Sequence, residues 1–252
     1  MLHIRRPIYG WIPDLPDLRD KFYSQLVLAP ETLPLHVDLR PFCSAVEDQG
    51  QLGSCTANAL AGNLEYLQKQ KQTLIDFSRL FIYYNERVIQ HTTTEDSGAM
   101  LRDGIKTLVK LGVCMESEWP YNVDSFTQKP SETAYQDALN YQITAYYRLI
   151  TLNEMKHTLA TGFPFIFGFS VYESFESEIV AQTGIVPMPA KDERLVGGHA
   201  VMAAGYDDST QQFIIRNSWG DAWGQNGYCL MPYEYLTNTH LASDFWTIRG
   251  ME

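Results

Sequence analysis

The 252-residue chain is poor in the features that would commit it to a membrane, a nucleic acid or a metal. No apolar run approaches the roughly 18 to 20 residues a membrane-crossing helix needs. The longest, GFPFIFGFSVY from Gly162 to Tyr172, is short, aromatic and glycine-edged, and reads as a buried strand. Positive charge is scarce: 19 Lys and Arg stand against 30 Asp and Glu, for a net charge of −11. That balance removes the basic footprint that nucleic acid or anionic lipid requires. Cysteine is sparse, with only Cys43, Cys55, Cys114 and Cys229 and no C-x-x-C pair. A zinc knuckle and a thioredoxin-type motif are therefore excluded, and no metal or cofactor is expected. If Cys55 is a nucleophile, at most one intramolecular disulfide remains, an economy that fits a reducing compartment. Arg5 and Arg6 come early but no apolar h-region follows them, so no secretory signal is written and a cytoplasmic location is favoured, with secretion or delivery to a host as the alternative. Internal repeats and low-complexity tracts are absent.

What is present is ordinary globular material, 45% hydrophobic and 19% charged. The length allows one large domain or two lobes. Residues 1–32 differ from the rest. Pro7, Pro13, Pro16 and Pro30 punctuate them, and Tyr9, Trp11, Phe22 and Tyr23 decorate them. Proline fixes φ and pushes its predecessor towards extended backbone. The segment reads as an extended arm with its aromatics in shallow grooves, either a stabilising tail or a strap across a cleft.

From Cys55 the apolar positions Leu60, Ala61, Leu64 and Leu67 recur at helical spacing, with Ser54 as the expected N-cap. Further helices are predicted from Ser78, from Met100 to Leu111 with Gly112 closing it, and over Asn153–Gly162. Beyond about residue 140, YQITAYYRLI, PFIFGFSV, HAVMAAGYD, QQFIIRNSWG and GYCLMPYEYL read as strands. The layout is α+β: a helical lobe over about 45–135, a β-rich lobe over about 136–252, and a cleft between them.

Cys55 opens a predicted helix, where the macrodipole favours a thiolate. Alone it reads first as a small buried hydrophobe. Two features add weight. Gln49 lies just upstream, across a turn with Gly50 and Gly53, where its amide and the Cys55 N–H can face an oxyanion. Far downstream, VGGHAV places His199 at a strand and FIIRNSWGDAWGQNGY places Asn217 at the end of another. A histidine beside a thiolate forms an ion pair, and an asparagine carbonyl holds the useful tautomer.

In order along the chain, LPLHVDLR, DQGQLGSC, DSGAM, GGHAV and RNSWGDAWGQNGY resemble the motifs of the papain-like cysteine peptidases. The resemblance covers residues 33–252 and implies a papain-like two-lobe fold with an antiparallel, barrel-like second lobe. It implies a cysteine endopeptidase acting on peptide or protein, in a monomer. Cys55 would be the nucleophile, His199 the base and acid, Asn217 its orienter and Gln49 the oxyanion donor. Trp219 would shield the His–Asn bond and Trp223 would line the leaving-group side. Gly53, Ser97 and Gly98 would present backbone to an extended substrate. Met100, Gly198 and Ala200 would border the pocket for the second residue before the cut. Two departures stand out. Leu52 occupies the position of the family's usual cysteine, and Thr56 that of an aromatic. The Q-G-x-L-G-x-C form is similar to the disulfide-free calpains and fits a disulfide-poor, prokaryotic-type member. The usual second glycine is Ala99. Other readings are an acyl transferase using the same triad, a binding module without activity, and inhibition of the cleft by residues 1–32.

The plainer expectations are these. Trp219 and Trp223 serve equally as core aromatics. His3, His36, His91, His157 and His240 lie on the surface or at caps. Cys43 and Cys114 are candidates to bridge, Cys229 is buried, and Glu116, Glu118, Glu173, Glu176 and Glu178 form a solvated face.

Overall fold

The computed structural model describes residues 9–26 and 32–251, with Gln25 described by its backbone alone. His3, Arg5, Arg6, Pro7 and Pro30 lie outside the described residues. The architecture is mixed α+β. Helix α1, Cys55–Gln70, is the central rod, buried on every side from Cys55 to Gln68. Its small residues, Ala57, Ala59, Ala61 and Gly62, allow that enclosure, and Gly62 passes the Arg216 guanidinium closely. Against it pack α2, Arg79–Gln90, and α3, Leu101–Lys110. Ser78 caps α2 by accepting from the Phe81 N–H, as its sequence predicts. Gly112 adopts φ +72 just beyond α3, the left-handed closure expected of it.

The other face of α1 meets an antiparallel sheet. Its strands are β1 (His36–Asp38), β2 (Ile143–Arg148), β3 (Phe165–Tyr172), β4 (Leu195–Asp207), β5 (Gln212–Arg216), β6 (Tyr228–Pro232) and β7 (Ala242–Met251). Their order is β2-β7-β3-β4-β5-β6, with β1 added to β4. The apolar run Phe165–Val171 is the buried strand its composition predicts. Strand β4 is exposed or half-buried from Leu195 to Gly198 and buried from His199 onward. His199 thus sits where the strand enters the core. The short helices α4 (Glu132–Ala138), α5 (Leu152–Ala160), α6 (Glu178–Thr183) and α7 (Tyr233–Thr237) complete the fold. Thr151 and Glu154 form a reciprocal capping box at α5. Among the described residues no helix is long and apolar enough to cross a membrane.

The structure departs from the sequence reading in several places. GYCLMPYEYL is half strand: after Pro232 the chain turns into α7. Ser54 occupies the cap of α1 but its hydroxyl does not cap it; Oγ pairs with the Tyr121 hydroxyl at 2.6 Å instead. All four cysteines are free and buried, Cys43 and Cys114 included. Glu116 and Glu176 are half-buried rather than part of a fully solvated face. Burial pushes Glu116 up to about 7 beside Arg79, and Glu176 accepts from Tyr9. His157 is buried against the Tyr23 hydroxyl, 2.8 Å from its Nδ1.

Candidate active site

The start of α1, the loop Asp96–Met100, the middle of β4 and the loop after β5 converge. Gln49 is tied to the last of these. Its N–H donates to Ser218 O at 2.9 Å, and its Oε1 accepts from Ser218 Oγ at 2.6 Å. That turns Nε2 towards Leu52 O, at 3.0 Å, in the turn that feeds Cys55. Leu52 fills its position apolarly, fully enclosed. Thr56 is buried too, and its hydroxyl donates to the buried carboxyl of Glu86 at 2.8 Å.

His199 and Asn217 meet at 2.8 Å through Nε2 and Oδ1. The Ser218 N–H donates to the same Oδ1 at 2.8 Å, and a backbone N–H can only donate, so the amide oxygen must point there. Nε2 therefore carries the proton and Nδ1 keeps its lone pair. Nδ1 is buried and has no hydrogen-bond partner among the described residues. Trp219 stacks on the imidazole at 5.0 Å and 26°, covering the His–Asn bond. Trp223 stands edge-on to Trp219 at 5.3 Å. The backbone of Ala200, the residue after His199, and of Gly10 acts on the buried thiol and opposes the rise that burial imposes, so these segments meet beside Cys55.

Gly10 belongs to the arm, which runs through the site. Ala99 N–H donates to Gly10 O at 2.7 Å, Trp11 N–H to Gly198 O at 3.0 Å and Ile12 N–H to Ala99 O at 2.9 Å. Trp11 pairs parallel to Ala99 and lays its indole on Gly168 and Gly198, glycines that leave it room. Tyr9 stands edge-on to His199 and Trp219 and packs on Gly197. The sequence assigned backbone pairing to Gly98 and Gly53, but neither N–H is offered to a peptide. Gly98 N–H goes to the Tyr83 hydroxyl at 3.1 Å and Gly53 N–H to Asp96 at 3.0 Å. Ala99 does the pairing, while Gly98, at φ +72, gives Gly10 its space. Ser97 braces the loop through Thr92. Met100 caps α3 without a side-chain bond, half-buried beside this edge.

Farther along, a buried ionic clasp holds the arm. Asp14 accepts from Trp246 Nε1 at 2.9 Å and Arg102 N–H at 3.0 Å, and its own N–H donates to Asp244 at 2.8 Å. Asp20 bridges Arg102, at 2.6 Å, and Arg148, at 3.0 Å, and Arg148 reaches Asp244 at 2.8 Å. Burial and the neighbouring Asp244 carboxylate push Asp14 up to about 6.

The covered site is electrically quiet. Cys55 and His199 are both 0% exposed. Burial pushes the thiol up to about 12 and the imidazole down to about 4, so both are neutral at pH 7. Burial under the arm thus opposes the ion pair that the helix start favours. The sequence also gave no sign of Tyr9–Glu176, of Ser218 as the brace of Gln49, or of the Asp14 clasp.

A buried cysteine at a helix start, an imidazole held by an asparagine, and a strand-like edge that already pairs with a peptide segment are the parts of a cysteine peptidase. The profile of the papain family cysteine proteases matches residues 33–246, and the chain belongs to that family. It is 42% identical to an uncharacterised peptidase C1-like protein of Acanthamoeba polyphaga mimivirus, over 96% of this chain and 86% of that protein. It is 27% identical to a cathepsin L-like proteinase of Fasciola hepatica, over 79% of this chain and 60% of that one. Among solved structures it resembles xylellain, a cysteine protease from Xylella fastidiosa. The TM-score is 0.89 at 46% identity, covering 97% of this chain and 96% of that one.

Proposed function

We propose that this cysteine endopeptidase works through Cys55, His199 and Asn217 and is held latent by its own arm. The observation that carries the chemistry is the pinned imidazole. Asn217 and Trp219 fix His199 with Nδ1 bare, and the backbone of the residue after it lies beside the Cys55 thiol. With the arm displaced, water returns, and the proton moves from Cys55 Sγ to His199 Nδ1. The thiolate attacks the scissile carbonyl and a C–S bond forms. The oxyanion is held by the Cys55 N–H, at the open end of α1, and by Gln49 Nε2. His199 gives its proton to the leaving nitrogen as the C–N bond breaks. It then takes a proton from water, which attacks the thioester and releases the acid. Trp223 lines the leaving-group side.

The arm runs the wrong way for cleavage. Tyr9 lies on the His199–Trp219 side, where the leaving amine departs, and Trp11 on the Ala99–Gly198 side, where the acyl half binds. A substrate runs from acyl half to amine, N to C, whereas the arm runs from the amine side to the acyl side. Its carbonyls are thus presented in reverse. Replacing Cys55 by Ala is expected to abolish both peptide hydrolysis and labelling by thiol-directed peptidase inhibitors. Labelling that persists and maps to Cys43, Cys114 or Cys229 rejects the assignment.

A further inference from the structure

We propose that Glu176 selects, on the leaving-group side, substrates whose first residue after the cut ends in a hydrogen-bond donor, above all Arg or Lys. The proposal rests on the functional reading above. The arm supplies the clue, because Tyr9 is the residue it leaves beside the imidazole. Its ring stands edge-on to His199 at 6.1 Å and to Trp219 at 6.3 Å. A methyl on Gly197 would come within 2.6 Å of that ring, so the glycine makes the space. The Tyr9 hydroxyl donates to Glu176 Oε1, and among the described residues Tyr9 is that carboxylate's hydrogen-bond partner.

Glu176 ends the short 3-10 turn Glu173–Glu176 that follows β3. Its neighbour Phe175 is buried and anchors the turn against Trp219 at 5.5 Å and Trp223 at 5.6 Å. The carboxylate is therefore held at a fixed place beside the His199–Trp219 wall. The other acids of this rim have partners or face away. Glu173 pairs with Arg194, Glu193 accepts from Ser174 and Ala190, and Glu178 is exposed at the start of α6. When the arm leaves, Glu176 is a half-buried acceptor without its donor, over a slot sized for a ring. A phenol, an ammonium or a guanidinium on the departing half restores the bond, and the cations do so with charge assistance. An acidic residue there meets like charge.

The test uses the full-length chain with Gly10→Ala, which shifts the arm towards its open state, and internally quenched peptides of one acyl half. These carry Arg, Lys, Tyr, Leu or Glu after the cut. The expected order in kcat/KM is Arg and Lys, then Tyr, then Leu, then Glu. Glu176→Gln is expected to shrink the Arg-to-Leu ratio roughly 5- to 20-fold. Glu176→Lys is expected to invert the Arg-to-Glu ratio, and it places no new burden on the core. A flat series, or ratios unchanged in both variants, overturns the proposal. Failure to cleave any peptide, with Cys55 inert to labelling, counts instead against the catalytic reading.

Discussion

Gly10→Ala adds one methyl group at the narrowest point of the arm. A β-carbon there would lie 2.8 Å from Gly53 Cα and closer still to the Gly53 carbonyl. Gly10 does not occupy the left-handed region, so the cost comes from collision alone. Gly53 cannot retreat easily, because its N–H is held by Asp96 and the next residues open α1. Gly10 is also fastened by its carbonyl to Ala99. Overpacking of this kind costs about 1–3 kcal/mol. Charged to the docked state alone, that raises the open-to-closed ratio about 5- to 150-fold. Cys55 is 0% exposed when the arm is docked, so alkylation proceeds only from the open state. The assay is the initial rate of labelling by a thiol reagent at fixed pH, with peptide mapping to Cys55 and circular dichroism to confirm the fold. The expected result is a rise in labelling rate and in peptide turnover by the same factor. Unchanged rates in a folded Gly10→Ala protein would refute the claim that the arm gates the thiol.

Two other outcomes follow from the clasp and the triad. Docking raises Asp14 to about 6 from an ordinary carboxyl value, so docking takes up a proton. The stabilisation is complete below about pH 4 and is lost as pH rises through 6. Asp14→Asn removes this dependence while leaving His199 titration common to both proteins. The wild-type-to-variant ratio of Cys55 labelling rates is therefore expected to rise roughly tenfold between pH 4 and 6, a value discounted for the nearby Arg102 and Arg148. A flat ratio contradicts the clasp. Asn217→Ala removes the acceptor of both His199 Nε2 and the Ser218 N–H. It is expected to lower kcat about 100-fold with little change in KM. A fall confined to KM speaks against an orienting role.

Cys55, His199 and Asn217 could be proposed from the sequence because each has a local signature: a glycine turn before a helix, glycines before a strand, an asparagine at a strand end. The relation between distant segments was not. Ala99 lies in a loop where the sequence singles out Gly98, and only the Tyr83 hydroxyl shows where the Gly98 N–H goes instead. Ser54 is a good cap by type, yet tertiary contact with Tyr121 diverts its hydroxyl. Strand β7 went unread because Asp244 interrupts it at φ +58, exchanging regular alternation for a carboxylate aimed at Asp14 and Arg148. In YEYL the aromatics imitate a strand, but a single helical turn suffices to bury Tyr233, Tyr235 and Leu236. The arm announced itself by proline and aromatic content; what it grips with, Asp14 and Asp20, carries no pattern at all.

One consequence of the arm concerns dilution. In the latent form proposed above, plug and cleft belong to a single polypeptide, so their encounter is unimolecular and set by an effective concentration rather than by the amount of protein. Latency should then be the same in a droplet and in a litre, and a free peptide competitor must reach that concentration scaled by its own affinity before it matters. Severing the tether, by contrast, turns a permanent neighbour into one that diffuses away.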